Sequence, residues 1–155
     1  MSTRQQVIGL VVWLVLSFGA AWAGSRFGPS EWFTALRKPS WNPPNWVFGP
    51  VWTLLYALMA VAAWLVWKKA GWSAAPALGL FVFQLVINAL WTWIFFGLQR
   101  PGWAVVDIVA LWLAILGTAV AFWFKDRIAA ALLLPYLAWV SFAAVLNWTL
   151  WRLNR

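Results

Sequence analysis

The sequence predicts an all-α integral membrane protein: a five-transmembrane-helix bundle with a long lid-like loop between helices 1 and 2. Three observations predict it. Of 155 residues, 65% are hydrophobic and 9% charged, with a mean hydropathy of +0.81, whereas about 25% charged residues is usual in a soluble domain. The charges stand singly or in pairs between apolar runs, the placement of loop and headgroup residues. Five of those runs reach the roughly 20 residues that a helix needs to cross hydrocarbon. The net charge of +8 is therefore no nucleic-acid signal; the partner it implies is the lipid bilayer.

The first run covers 6–25. Arg4 before it and Ala21-Trp22-Ala23 near its end also fit a secretory signal with a small-x-small cleavage site. Trp13 and Trp22 are unusual in such a signal, and Gly9, Trp13, Ser17 and Gly24 recur at roughly helical spacing, as a packing face would. The loop 26–45 follows. Within it 31–36 predicts a short helix, and Pro43-Pro44 stiffens the chain and blocks helix formation. The second run, 46–67, is closed by Lys68-Lys69, and Gly49-Pro50 is expected to mark the true helix start, with Pro50 in the first turn. The third, 77–98, ends in the tight-turn sequence Gln99-Arg100-Pro101-Gly102. The fourth, 103–124, is closed by Lys125-Asp126-Arg127, and the fifth, 128–151, by Arg152 and Arg155. Short connections make neighbouring helices antiparallel, and residues 1–155 form one membrane domain. Five basic residues fall on the N-terminal side and six on the other, so the positive-inside rule selects no orientation.

Histidine and cysteine are both absent. That removes the usual imidazole and thiolate metal ligands and every histidine-based nucleophile system. The acids are Glu31, Asp107 and Asp126. Only Asp107 falls inside a run, where it is expected near the interface beside Arg100. No paired-carboxylate site results. The composition instead favours indole chemistry, with 17 tryptophans.

Polar side chains inside a span usually face the bundle interior. Gln84, Asn88 and Trp91 share one face of the third helix, Trp52 and Tyr56 one face of the second, and Trp139, Ala143 and Asn147 one face of the fifth. With antiparallel helices, Trp52, Trp91 and Asn147 lie in the half nearest the 26–45 loop, and Asn88 and Trp139 near the middle. Two readings stand. These stripes line an apolar pocket with a few placed polar groups, or they are interhelical packing with modest hydrogen bonds. Trp22, Trp46, Trp67, Trp72, Trp103, Trp123, Trp148 and Trp151 fall near span ends and are assigned to interfacial anchoring. The loop is either a lid or a connector in the headgroups; Trp32, Phe33 and Trp41 need burial and favour the lid.

Trp41-Asn42-Pro43-Pro44 followed by Phe48-x-x-x-Trp52-Thr53-x-Leu55-Tyr56 resembles the loop and second-helix signature of the TspO/MBR family. Gln84-x-x-x-Asn88-x-x-Trp91 resembles its third-helix motif, and Pro135-Tyr136-x-x-Trp139 with Leu146-Asn147 its fifth. The resemblance covers essentially the whole chain. It implies a retained first helix, homodimers, and a receptor or sensor that binds porphyrins, sterols in some members, and synthetic isoquinoline and benzodiazepine ligands. It requires no cofactor, and protoporphyrin IX enters as ligand or substrate. By position, Trp52 and Trp139 match tryptophans implicated in light-dependent porphyrin degradation. Phe33, Pro43, Phe48, Tyr56, Asn88, Trp91, Ala143 and Leu146 complete the implied ligand site. Phe33 stands where some relatives carry a tyrosine. The animal sterol motif needs a tyrosine that Val145–Arg152 lacks, which weakens sterol recognition and suggests a bacterial member. Arg26, Arg37 and Lys38 are the candidate partners for propionates at the pocket mouth. The alternatives are a translocator of lipophilic molecules and a ligand-controlled interaction protein, with Ala20-x-x-x-Gly24 and Ala75-x-x-x-Gly79 as candidate helix-contact faces.

Overall fold

In a computed structural model, which describes residues Met1–Arg155, every extended element is a helix. They are α1 (Thr3–Ser25), α2 (Glu31–Ala35), α3 (Asn45–Ala70), α4 (Ala75–Thr92), α5 (Pro101–Trp123), α6 (Arg127–Leu132) and α7 (Leu134–Asn154). Hydrocarbon offers a backbone group no outside partner, so each apolar run satisfies its own amides as helix. Four helical stretches are long and apolar enough to cross a membrane. The longest, Asn45–Gly97, folds back at a 3₁₀ turn, Gly71–Ala74, and supplies two legs. Five legs result, and the protein is a multi-pass integral membrane protein.

The helix ends follow from local chemistry. Ser2 and Gln5 form a reciprocal capping box at the start of α1. Gly71 takes φ +59° after α3, a conformation that costs a glycine little, and Pro76 occupies the first turn of α4. α3 starts at Asn45, earlier than Gly49-Pro50 suggested. Pro44 is extended, at φ −60° and ψ 146°, and stands as the last residue before the helix, and Pro50 sacrifices one bond inside the helix. The fifth span is two segments. Pro135 has no N–H to continue the α6 ladder, so the helix restarts at Leu134. The third span ends in a π turn, Trp93–Gly97.

Around the bundle the order is α3–α1–α4–α5–α7, with α6 closing the ring against α3. The Tyr56–Asn88 and Met59–Gln84 contacts pair ascending with descending numbers and fix α3 and α4 antiparallel. The half away from the 26–45 loop is solid. Met59, Ala63 and Val66 from α3 meet Phe81 of α4, Phe122 of α5 and Leu133, all buried. Phe81 stacks on Phe122 at 6.1 Å and meets Trp13 edge-on at 5.8 Å. The α3 and α7 backbones make little close approach; side chains such as Phe48 and Trp139 bridge them on the loop side, and the bundle opens there.

The expected α1 face is the buried one: Gly9, Trp13, Ser17 and Gly24. Trp67 departs from the anchoring assignment, because its ring lies over Gly9 where a methyl group would overlap it. Trp151 likewise packs on Gly102. Substituting Gly9→Leu should destabilise the bundle by about 1–3 kcal/mol, the usual cost of overpacking. A fall in thermal midpoint in detergent measures this, and Gly19→Leu, where nothing lies near a Cβ, should leave the midpoint unchanged.

A candidate ligand cavity beneath the first loop

The open half encloses a cavity of about 500 Å³, within the usual range of small-molecule sites. Successive turns of α3 present Asn45, Phe48, Trp52 and Tyr56 to it. α4 adds Asn88, Trp91 and Thr92, and α7 adds Trp139, Ala143, Leu146 and Asn147. α2 covers it: Phe33 is buried, edge-on to Phe95 at 6.2 Å and Phe96 at 5.3 Å.

Most of the sequence-derived residues are thus brought together: Phe33, Phe48, Trp52, Tyr56, Asn88, Trp91, Trp139, Ala143 and Leu146 all line one space. Pro43 does not. Inward-facing positions follow helical spacing from Asn45, and Pro43 lies in the extended stretch before that helix. Other wall residues were missed. Phe18, Ala21 and Gly24 come from α1; of these the sequence marked only Gly24, and only as packing. Phe95 and Phe96 come from the π turn, whose wider spacing turns two consecutive aromatics toward one space and leaves no 3.6-residue pattern to find. Ile108 and Leu111 of α5 look like any apolar helix residue.

A chain of hydrogen bonds forms the floor. The Tyr56 hydroxyl donates to Asn88 Oδ1 at 2.8 Å, Asn88 Nδ2 donates to the Tyr136 hydroxyl at 2.7 Å, and Tyr136 donates to Gln84 Oε1 at 2.6 Å. Higher in the wall, Trp91 Nε1 donates to Asn147 Oδ1 at 2.8 Å, and Asn147 Nδ2 donates to the Pro101 carbonyl at 3.0 Å. Trp91 is held flat on Phe95, at 5.0 Å and 22°. Trp52 leans on Tyr56 at 5.7 Å, and Trp139 meets Phe48 at 5.9 Å. The Trp139 indole N–H is buried with no acceptor in the protein. The intramembrane polar groups thus serve both as wall and as interhelical bonding.

The cations are placed otherwise than the sequence suggested. Lys38 Nζ donates to the carbonyls of Phe33, Thr34 and Leu36 at 2.7, 3.2 and 3.1 Å and lies over the Phe33 ring. It caps α2 instead of serving a pocket mouth. Arg26 stacks on Trp22. The Arg37 backbone is gripped by the Asn154 side chain, which accepts from Arg37 N at 2.8 Å and donates to Arg37 O at 2.9 Å. None of the three lines the cavity. Its exposed rim is Ser25, Gly28 and Pro29 on one side and Asn45, Gly49 and Thr53 on the other. Asp107 is buried in α5 and has no ion pair with Arg100; the one carboxylate–cation pair is Lys69–Asp126 at 4.0 Å.

A model of the TspO/MBR family matches residues 8–152. The chain belongs to this family. It is 46% identical to the translocator protein of Homo sapiens over 84% of this chain and 81% of that one. It is 43% identical to the tryptophan-rich protein TspO of Chlorobaculum tepidum over 97% and 99% of the two chains. Identity to the tryptophan-rich sensory protein of Cereibacter sphaeroides is 42%, over 86% and 84%. Relatives at this level of similarity include both animal and bacterial proteins.

Two substitutions test this geometry. Asn88→Leu leaves the Tyr56 hydroxyl without an acceptor and removes the bond that Tyr136 accepts, while Tyr136 still donates to Gln84; it should cost about 1–2 kcal/mol, the scale of interhelical hydrogen bonds in membranes, read as a lower thermal midpoint. Asn154→Ala frees the Arg37 amide, and hydrogen exchange should accelerate in the 31–38 segment while the amides of α4 stay protected.

Proposed function

We propose that this protein is a membrane receptor for porphyrins, protoporphyrin IX in the first place, which lie in the cavity beneath the first loop. The observation that carries this is the convergence of Trp52, Trp139, Trp91 and Phe48 on one apolar space. Indole faces suit a flat conjugated macrocycle, and the unbonded Trp139 N–H suits an acceptor on the ligand. At the rim the Asn45 side-chain amide offers a hydrogen bond to a propionate, whereas the Ser25 and Thr53 hydroxyls already donate to the Trp22 and Gly49 carbonyls. Membership in a family whose members carry the names translocator protein and tryptophan-rich sensory protein supports a role in sensing or moving a lipophilic molecule. Synthetic isoquinoline and benzodiazepine-type ligands share the same requirement for a flat apolar site. Under light, Trp52 or Trp139 gives an electron to the excited macrocycle, which passes it to dioxygen as the oxidant; the indole radical then takes an electron back from the macrocycle, so the net oxidation falls on the porphyrin and the indoles are restored.

Translocation is the second reading, favoured by the name borne by the animal relatives. Against passage straight through the bundle stands the solid half below the floor, where Met59, Phe81, Phe122 and Tyr136 are fully buried. The third reading is a ligand-controlled interaction protein acting as a homodimer. Gly79 faces outward with nothing near its Cβ position and suits close helix contact. Gly24 is already packed on Thr92 inside the bundle.

A protoporphyrin IX titration in the dark, read by tryptophan fluorescence and followed by illumination, tests the first reading. Saturable quenching is expected, then a protein-dependent new absorbance band. The Trp52→Phe/Trp139→Phe variant should retain the fold and most of the binding but lose the band. Absence of saturable quenching in the unaltered protein would refute porphyrin binding, and an unchanged band in the double variant would remove the two indoles from the chemistry.

A further inference from the structure

A second depression lies outside the bundle, at the loop-side membrane interface between the start of α5 and the end of α7. Arg100 and Arg155 line it together with Gly102, Trp103 and Trp151. Neither guanidinium has a carboxylate within ion-pair distance, since Lys69–Asp126 is the only such pair in the protein. Arg155 stacks over Trp151 at 5.5 Å, which orients its fork without using its donors. Gly102 lets the Trp151 ring lie flush, because a Cβ there would come within 2.8 Å of the indole nitrogen.

Below the arginines the surface becomes an apolar track. Trp103, Val106, Val109 and Leu113 are 68%, 60%, 51% and 58% exposed, and their spacing puts them on one stripe of α5 facing away from the bundle. Two arginines at the bundle end thus continue into an apolar strip along α5. That combination fits one amphiphile rather than two separate ligands.

We propose that this groove binds an anionic phospholipid, with its phosphate between Arg100 and Arg155 and an acyl chain along the α5 stripe. Paired guanidiniums suit a phosphate diester. A zwitterionic headgroup would bring a quaternary ammonium beside the same cations, and this selects lipids of net negative charge. The site is separate from the cavity, none of whose walls it shares, so it stands whether or not a porphyrin is the cavity's ligand.

The test is native mass spectrometry of the detergent-solubilised protein, titrated with phosphatidylglycerol and phosphatidylcholine of matched chains. A preference of about fivefold for phosphatidylglycerol is expected, the scale of one charge-assisted hydrogen bond over a neutral one. Arg100→Gln/Arg155→Gln should abolish it. Both residues are exposed, so the fold is not at stake. Lys68→Gln/Lys125→Gln removes the same charge from the opposite side and should preserve the preference. Equal binding of the two lipids, an unchanged preference in the arginine variant, or equal loss in the lysine variant would overturn the site. Adding glycerol phosphate separates the sources. If it displaces the lipid at matched concentration, the groove reads free phosphate and the acyl track contributes nothing, which overturns the lipid assignment.

Discussion

Tyr56, Asn88, Tyr136 and Gln84 hydrogen-bond to one another in series inside the bundle, and the rest of the architecture is arranged around that chain. Hydrocarbon supplies no partner for an amide or a phenol, so side chains from α3, α4 and α7 must meet. Meeting there fixes the rotation of all three helices about their axes. It also fixes which tryptophans turn inward: Trp52 lies one turn above Tyr56, Trp91 just above Asn88, and Trp139 just above Tyr136. The cavity wall follows from the floor.

The chain also divides the molecule. On its far side, small residues such as Ala60 and Ala63 let helices approach until Met59, Phe81 and Phe122 fill the space. On the loop side the facing residues are aromatic, and rings set edge-on at 5–6 Å hold the helices apart without filling between them. A bundle with one dense end tolerates a hollow at the other, because hydrophobic packing and the polar chain already determine the helix order. The lid is secured by different means: Phe33 inserted among Phe95 and Phe96, Lys38 capping α2, and Asn154 gripping Arg37. Only the first is apolar; the other two are polar contacts at the edge of the bundle, where water can compete.

Tryptophan serves at least three purposes here. Trp46, Trp72 and Trp103 are largely exposed near helix starts and turns, where an indole sits at the headgroup boundary. Trp67 and Trp151 cover glycines and seal helix pairs. Trp52, Trp91 and Trp139 form wall. Five basic side chains sit over the indole four residues before them: Arg26, Lys68, Arg127, Arg152 and Arg155. Such stacking holds a cation at the interface at little entropic cost.

Length and apolarity of the runs were enough to determine the five legs, because hydrocarbon leaves a backbone almost no alternative to helix. The i, i+4 spacing was enough to place Trp52 with Tyr56 and Asn88 with Trp91 on shared faces, because side-chain direction in a helix is set by sequence separation alone. Which helices are neighbours is a tertiary matter. The Gly9, Trp13, Ser17 and Gly24 stripe marks a buried face of α1 but not its partners, so nothing in it announces that α1 packs between α3 and α4 and contributes Phe18 to the wall. Phe95 and Phe96 owe their place to a π turn, the Asn154–Arg37 clasp spans 117 residues, and Lys38 turns back onto carbonyls that only the folded α2 presents. These depend on distances between segments, and one-dimensional spacing carries no record of them.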